Sequence, residues 1–288
     1  MVNIRDLHFS YRRKIIFNGL NINLQAGHIY GLLGRNGTGK STLLRNMAGF
    51  LFPSSGQIDV LGFEPRRRQP AFLQQTFLLP EEFYLPPITI SRWIEHAAKF
   101  YPHFNMDQFY KYTTGFDIPM QGSMQEMSYG QQKKLLISFA LAVNSPLLLM
   151  DEPTNGLDIL SKSQFRKIIA GAVDENKCIL ISTHQVKDLE NLIDRILVIE
   201  EGRILFDQSM ESIARCLTFT LSFDPEETAR AFYSETSLKG NALVLPNEDG
   251  EDSRPDLEML YKAIILEGEK INRLFQEPLE AVHPKDRH

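Results

Sequence analysis

The sequence predicts an α/β fold: a mainly parallel sheet covered by helices, interrupted by a helical insertion and followed by a small α+β lobe. Three observations predict it. Short apolar runs alternate with helical stretches through most of the chain, the pattern of strands buried on both faces. A segment rich in aromatics and proline, residues 83–127, breaks that rhythm without offering a clear strand. Beyond residue 208 the charge balance turns: the last 80 residues hold 9 Lys/Arg against 16 Asp/Glu, and the preceding 208 hold 22 against 20. These changes set the expected domains at 1–208 and 209–288.

Each element has its own signal. Val2-Asn3-Ile4-Arg5-Asp6-Leu7 alternates apolar and polar side chains, as a half-buried strand does, and Ile22-Asn23-Leu24 repeats the pattern. Residues 28–33 form a continuous apolar run that ends in a glycine-rich loop. A helix over 41–50 follows, with Leu43, Leu44, Met47 and Ala48 on one side. The insertion holds Pro86-Pro87, Trp93, Phe100-Tyr101-Pro102, Phe104, Phe109-Tyr110 and Tyr112. Buried-type strands are expected at 147–150, 178–182 and 196–199, separated by helices at 164–172 and 186–192. In the tail the pattern predicts a strand at 217–223, a helix at 225–234, a strand at 242–245 and a helix at 257–275. An acidic, turn-rich link joins the last two.

Composition excludes several classes. Net charge is -5 over 288 residues, without the basic excess that phosphate-backbone binding favours, so no nucleic-acid partner is expected. The cluster Arg66-Arg67-Arg68 reads as a solvated turn. Two cysteines, Cys178 and Cys216, exclude a disulfide scaffold or a cysteine-rich metal site. No apolar run approaches the ~18–20 residues that cross a bilayer, and the N-terminus lacks an apolar signal segment. A reducing, cytosolic setting is therefore expected.

Chemistry enters at Gly34-Arg35-Asn36-Gly37-Thr38-Gly39-Lys40-Ser41, which fits G-x-x-x-x-G-K-[ST] between a strand and a helix. Glycines let the backbone N–H groups of Asn36, Gly37, Thr38 and Gly39 turn inward as a nest, and the helix N-terminus adds its positive end. Lys40 is placed to reach the β- and γ-phosphates, the Ser41 hydroxyl to ligate Mg²⁺, and Thr42 to add a phosphate contact. Taken alone, the loop indicates a nucleoside triphosphate without separating ATPase, GTPase and kinase.

The apolar run Leu147-Leu148-Leu149-Met150 ends in Asp151-Glu152. A buried parallel strand delivers its last residues to the carboxyl edge of the sheet, where ligands bind. Asp151 is expected to hold Mg²⁺, directly or through water, and Glu152 to polarise a water toward the γ-phosphate as general base.

A third motif narrows the class. Met127-Ser128-Tyr129-Gly130-Gln131 leads into a helical pattern with Leu135, Leu136, Phe139, Ala142 and Val143 on its apolar side. Ser128 stands at the N-cap, but packing does not account for Gly130 and Gln131 after it.

With these motifs in order, the chain resembles the ATP-binding subunit of an ABC transporter over residues 1 to about 208. Met127 to Gln131 is similar to the family signature L-S-G-G-Q, departing at Met127 and Tyr129. Tyr11 matches the aromatic that stacks on adenine, Asn155-Gly156-Leu157-Asp158 the D-loop, and Ser182-Thr183-His184 the switch histidine. Where the family carries a glutamine before the insertion, Glu81 stands in Phe77-Leu78-Leu79-Pro80-Glu81.

The resemblance implies a P-loop NTPase core of ABC type with an antiparallel N-terminal subdomain. It implies ATP and Mg²⁺ as cofactors, with Ser41, Asp151 and Glu81 toward the metal and His184 toward the γ-phosphate. Two copies, identical or paralogous, are implied head to tail. Ser128, Gly130, Gln131 and Asp158 of one would complete the nucleotide site of the other, so that ATP closes the dimer and hydrolysis opens it. Separate transmembrane permease subunits are implied as partners, with this chain peripheral on the cytoplasmic face and an exporter-like role. The expected docking face is the insertion, with Tyr84, Trp93 or Phe104 exposed. The rival reading is a soluble ABC-type ATPase acting on a ribosome or nucleic-acid complex. The single ATPase unit and the short insertion argue against it.

Overall fold

Alternation of apolar and polar side chains folds the start of the chain into antiparallel strands. In the computed structural model, residues 1–248 and 250–276 are described. They form two compact units, one of Met1–Ile193 with Ile199–Ile204 and one of Asp194–Val198 with the residues from Leu205 onward.

In the first unit, β1 (Val2–Tyr11), β2 (Lys14–Leu24) and β4 (Ser55–Val60) form an antiparallel sheet in the order β2-β1-β4. Val2, Ile4, Leu7 and Phe9 are its buried positions on β1. β1 runs four residues past the expected Leu7. The alternation is broken at Asp6, whose left-handed backbone (φ 48°) accompanies a register shift against β2.

The second sheet contains β3 (Ile29–Leu33), β5 (Thr76–Leu79), β6 (Leu147–Asp151) and β7 (Cys178–Thr183), parallel in the order β5-β6-β7-β3. β3, β6 and β7 are buried along their whole lengths, which is why they read as apolar runs rather than alternating ones. Register positions the site. Leu33 pairs with Thr183 and Asp151 with Ser182, so β3, β6 and β7 end level with one another. The residues of β8 (Arg195–Glu200) and β9 (Arg203–Ser209) are divided between the two units.

Helices α1 (Lys40–Met47), α2 (Pro70–Leu73) and α6 (Ile159–Ala170) connect these strands. The insertion carries α3 (Ile90–Ala97) and α4 (Met106–Gly115), N-capped by Thr89 and Asn105, and leads into α5 (Tyr129–Ala142). Its aromatics gather on Phe139 of α5: Trp93 at 4.6 Å between ring centroids, Phe104 at 5.2 Å and Tyr101 at 6.1 Å. The three aromatics of the expected docking face differ in exposure. Trp93 and Phe104 are half-buried against Phe139 of α5, and Tyr84, 78% exposed, is the member of the trio left fully outside. The helix expected at 186–192 is a single 3-10 turn, Val186–Leu189. Glu190 leaves helical geometry (ψ 135°) and Asn191 turns left-handed (φ 61°), which stops the helix.

In the second unit, α7 (Met210–Cys216) precedes an antiparallel sheet of β10 (Leu217–Ser222), β11 (Tyr233–Ser237) and β12 (Gly240–Pro246), in the order β10-β12-β11. The helix expected over 225–234 stops early as α8 (Pro225–Arg230), and β11 follows it. β11 is exposed beyond Tyr233, so it had no apolar alternation to announce it. α9 (Leu257–Leu274) buries Leu257, Leu260, Ala263, Ile264 and Ile271, with a kink at Glu267. No described helix is long and apolar enough to cross a membrane.

Candidate active site

The loop after β3 is shaped by its glycines. Gly39 has φ 106° and sits at the N-cap of α1. A Cβ there would lie 2.7 Å from the Phe17 ring and 2.8 Å from Ile16, so neither the backbone nor the space accepts another residue. Lys40 is buried at 6% exposure. Its Nζ donates to Gly34 O (2.8 Å) and Arg35 O (3.2 Å) and lies 3.6 Å from Glu152 Oε1. The ammonium therefore bridges the loop and the acid at the end of β6. Thr38 Oγ1 donates to Arg35 O, bracing the loop from within.

The carboxylates arrive on β6. Asp151 is 2% exposed, and Ser182 Oγ donates to its Oδ1 at 2.6 Å. Burying a carboxylate is costly without such a donor. The Glu152 backbone N–H donates to Ser182 O, tying the residue to the end of β7. Glu152 is left-handed (φ 45°) and 4% exposed. Its Oε1 lies 2.9 Å from His184 Nδ1, and its Oε2 accepts the His184 backbone N–H at 3.3 Å. One carboxylate thus joins lysine, histidine and the sheet edge.

Tyr11, Asn36, Gly37, Gly39, Lys40, Ser41, Thr42, Glu81, Glu152 and His184 border one cleft of about 380 Å³. Ten of the expected positions therefore converge. The Tyr11 hydroxyl is 3.4 Å from Thr42 Oγ1, and its ring is 43% exposed. Glu81 Oε1 accepts from Asn155 Nδ2 at 2.9 Å. Asp151 is buried behind the cleft, and Thr38 is turned into the loop. Ser128, Gly130, Gln131 and Asp158 do not border it. Ser128 caps α5, its Oγ accepting from Gln131 N while Gln131 Oε1 accepts from Ser128 N. Asp158 caps α6 through Ser161 N. A larger cavity of about 740 Å³ in the same unit, lined by Arg5, Asn46, Gln57, Asp59 and Arg66 among others, contains none of these residues. Size does not mark the site here; convergent chemistry does.

Sequence reasoning missed three participants. Ser182 was read only as part of the switch, although its hydroxyl holds Asp151. Asn155 was read only as part of the D-loop, although its amide reaches Glu81. Lys133 was not singled out, yet it is completely buried and its Nζ donates to Glu81 O at 3.0 Å. Burial pushes the Lys133 ammonium below the ordinary lysine range, while Glu81, Asp151 and Glu152 pull it back up.

Comparison with known proteins agrees with the geometry. A family model described as ABC transporter matches residues 17–155. The bacitracin transport ATP-binding protein BcrA of Bacillus licheniformis is 31% identical over 77% of this chain and 75% of its own length. The Nod factor export ATP-binding protein I of Burkholderia lata is 29% identical over 89% of each chain. A solved ATP-binding subunit of an ABC transporter superposes with a TM-score of 0.67 at 23% identity, covering 75% of this chain and 92% of that one, and shows the shared fold. On the likeness to the bacitracin protein across about three quarters of both chains, this chain belongs to the ABC transporter family and is one of its ATP-binding, ATP-hydrolysing subunits.

Proposed function

We propose that ATP is cleaved in the cleft between the 34–41 loop and Glu152, and that the cycle drives separate membrane-spanning permease subunits. The carrying observation is the convergence of Lys40, Glu152 and His184 around one carboxylate beside a phosphate-shaped loop. In this reading the ATPase domain spans residues 1–208. The loop's backbone N–H groups, Lys40 and Thr42 bind the triphosphate, and Tyr11 stacks on the base. Glu152 takes a proton from the attacking water as general base. His184, held at Nδ1 by Glu152, contacts the γ-phosphate and keeps that carboxylate aimed.

The donor set suits Mg²⁺. Ser41, Asp151 and Glu81 offer hard oxygens, and no group of three or more His, Cys, Asp or Glu among the described residues forms a metal cage of its own. A cation that keeps several waters and shares phosphate oxygens needs no more than this. Bound there, Mg²⁺ would neutralise charge developing on the phosphates.

Two copies assemble head to tail in this reading. The N-terminus of α5, led by Ser128 with Gly130 and Gln131, and Asp158 of one copy close on the ATP of the other. A helix N-terminus stabilises the γ-phosphate only while that phosphate is present, so cleavage weakens the dimer. The chain works on the cytoplasmic face of the membrane, and the names of its relatives support outward transport. The test is Glu152→Gln, which keeps the shape and removes the base. Steady ATP turnover falls by at least about a hundredfold while ATP binding persists. Turnover at the wild-type rate removes Glu152 from the role.

A further inference from the structure

We infer that Lys133 and Tyr129 are positioning residues that tie Glu81 to α5, so that the placement of that helix sets where Glu81 stands in the ATP cleft. The inference rests on the reading of Glu81 as a cleft residue of the ATPase. It starts from one acceptor with two donors. Glu81 O accepts from Lys133 Nζ at 3.0 Å and from Tyr129 OH at 3.2 Å. The donors stand four residues apart on α5, on the same face of successive turns. Phe83 is gripped by the same pair: its ring stacks on Tyr129 at 5.2 Å with 16° between planes, and Lys133 Nζ stands 5.7 Å from its centroid.

The other end of Glu81 is fixed as well. Asn155 Nδ2 donates to Glu81 Oε1, and Asn155 Oδ1 accepts from Gln185 Nε2 at 3.3 Å, one residue beyond His184. The Tyr129 ring also lies against Gly156, where a Cβ would come within 2.6 Å of it. The backbone of Glu81 is thus held by α5 and its carboxylate by the segment after β6.

Lys133 is an expensive way to fill space. An ammonium with no exposed surface gives up its hydration, and its direct contacts are one neutral carbonyl and an aromatic face, with the Glu81, Asp151 and Glu152 carboxylates acting on it from further off; a buried charge is weak evidence for stability. An apolar residue would serve the α5 core at least as well. What the lysine supplies is direction: its stem spans from the helix to the Glu81 carbonyl. The inferred path runs from α5 through Lys133 and Tyr129 to Glu81, and from there through Asn155 to Gln185 beside the histidine.

The experiment is a double-mutant cycle on the full chain with kcat and KM for ATP. Lys133→Met lowers kcat about tenfold with KM changed less than about twofold, because a small misplacement at a reacting centre costs rate rather than binding. Tyr129→Phe, which deletes one oxygen, lowers it about threefold. Lys133→Gln, which keeps a donor and drops the charge, restores most of the loss. Glu81→Ala lowers kcat, and adding Lys133→Met or Tyr129→Phe to it costs less than a further twofold. Amide exchange at residues 81–83 speeds up in Lys133→Met and Tyr129→Phe while β6 stays protected.

Losses of equal size in the wild-type and Glu81→Ala backgrounds, or an unchanged kcat in Lys133→Met, overturn the inference. Glu81→Ala with normal turnover defeats instead the reading of Glu81 itself, and the inference falls with it. Should Lys133→Met not fold, the Tyr129→Phe arm of the cycle decides alone.

Discussion

Asp151 shows how one side chain is held for chemistry. It is all but sealed from solvent, and its short bond from Ser182 Oγ comes from the strand next door. Ser182→Ala leaves that oxygen without its donor. The expected result is a loss of about 1–3 kcal/mol in stability, read from urea unfolding, with a weaker response of turnover to added Mg²⁺. Unfolding and Mg²⁺ dependence that match the wild type would refute it. At this scale the sequence was informative where a motif fixes spacing. Ten positions, from Tyr11 to His184, were expected and do meet in one cleft. It was silent where a partner comes from a distant strand or helix. Ser182, Asn155 and Lys133 act through hydrogen bonds that span 31, 74 and 52 residues, and no local pattern records such pairings.

Elements were legible when one force dominated them. β6 and β7 lie inside the sheet, so their apolar character gave their positions directly. Exposed β11 and the short 3-10 turn after β7 were not, because a hairpin partner and backbone geometry decide them. α6 illustrates what a cap contributes. The Asp158 carboxylate is held below the ordinary aspartate range, first by the backbone N–H of Ser161. A depressed folded pKa means stability that is present above the unfolded aspartate pKa and is lost as pH falls through the folded one. Asp158→Asn is therefore less stable than the parent at neutral pH, and the gap narrows as the medium is acidified below the usual aspartate range. Urea titrations at several pH values check this; a gap constant with pH contradicts it.

For the whole molecule, the placement of the Ser128 helix outside the cleft is the fact to explain. The N-cap and its capping box are complete, yet the helix does not border the cleft that its own chain forms. The head-to-tail pair proposed above accounts for that placement. Glu152→Gln with ATP and Mg²⁺ should elute at twice the monomer mass in size exclusion and return to monomer when EDTA is added. A monomer under both conditions would speak against the closed pair. The expected boundary at residue 208 rests on the change in charge, the change in strand and helix pattern and the extent of the resemblance. The compact units divide the chain by packing, with Asp194–Val198 grouped with the residues from Leu205 onward. The packing of the insertion has a practical consequence of its own. Trp93 is the protein's single tryptophan, and it rests on Phe139, ten residues along α5 from Tyr129. The native emission of this chain is therefore an unlabelled optical gauge of how the insertion sits on that helix, readable in a cuvette through each round of nucleotide turnover.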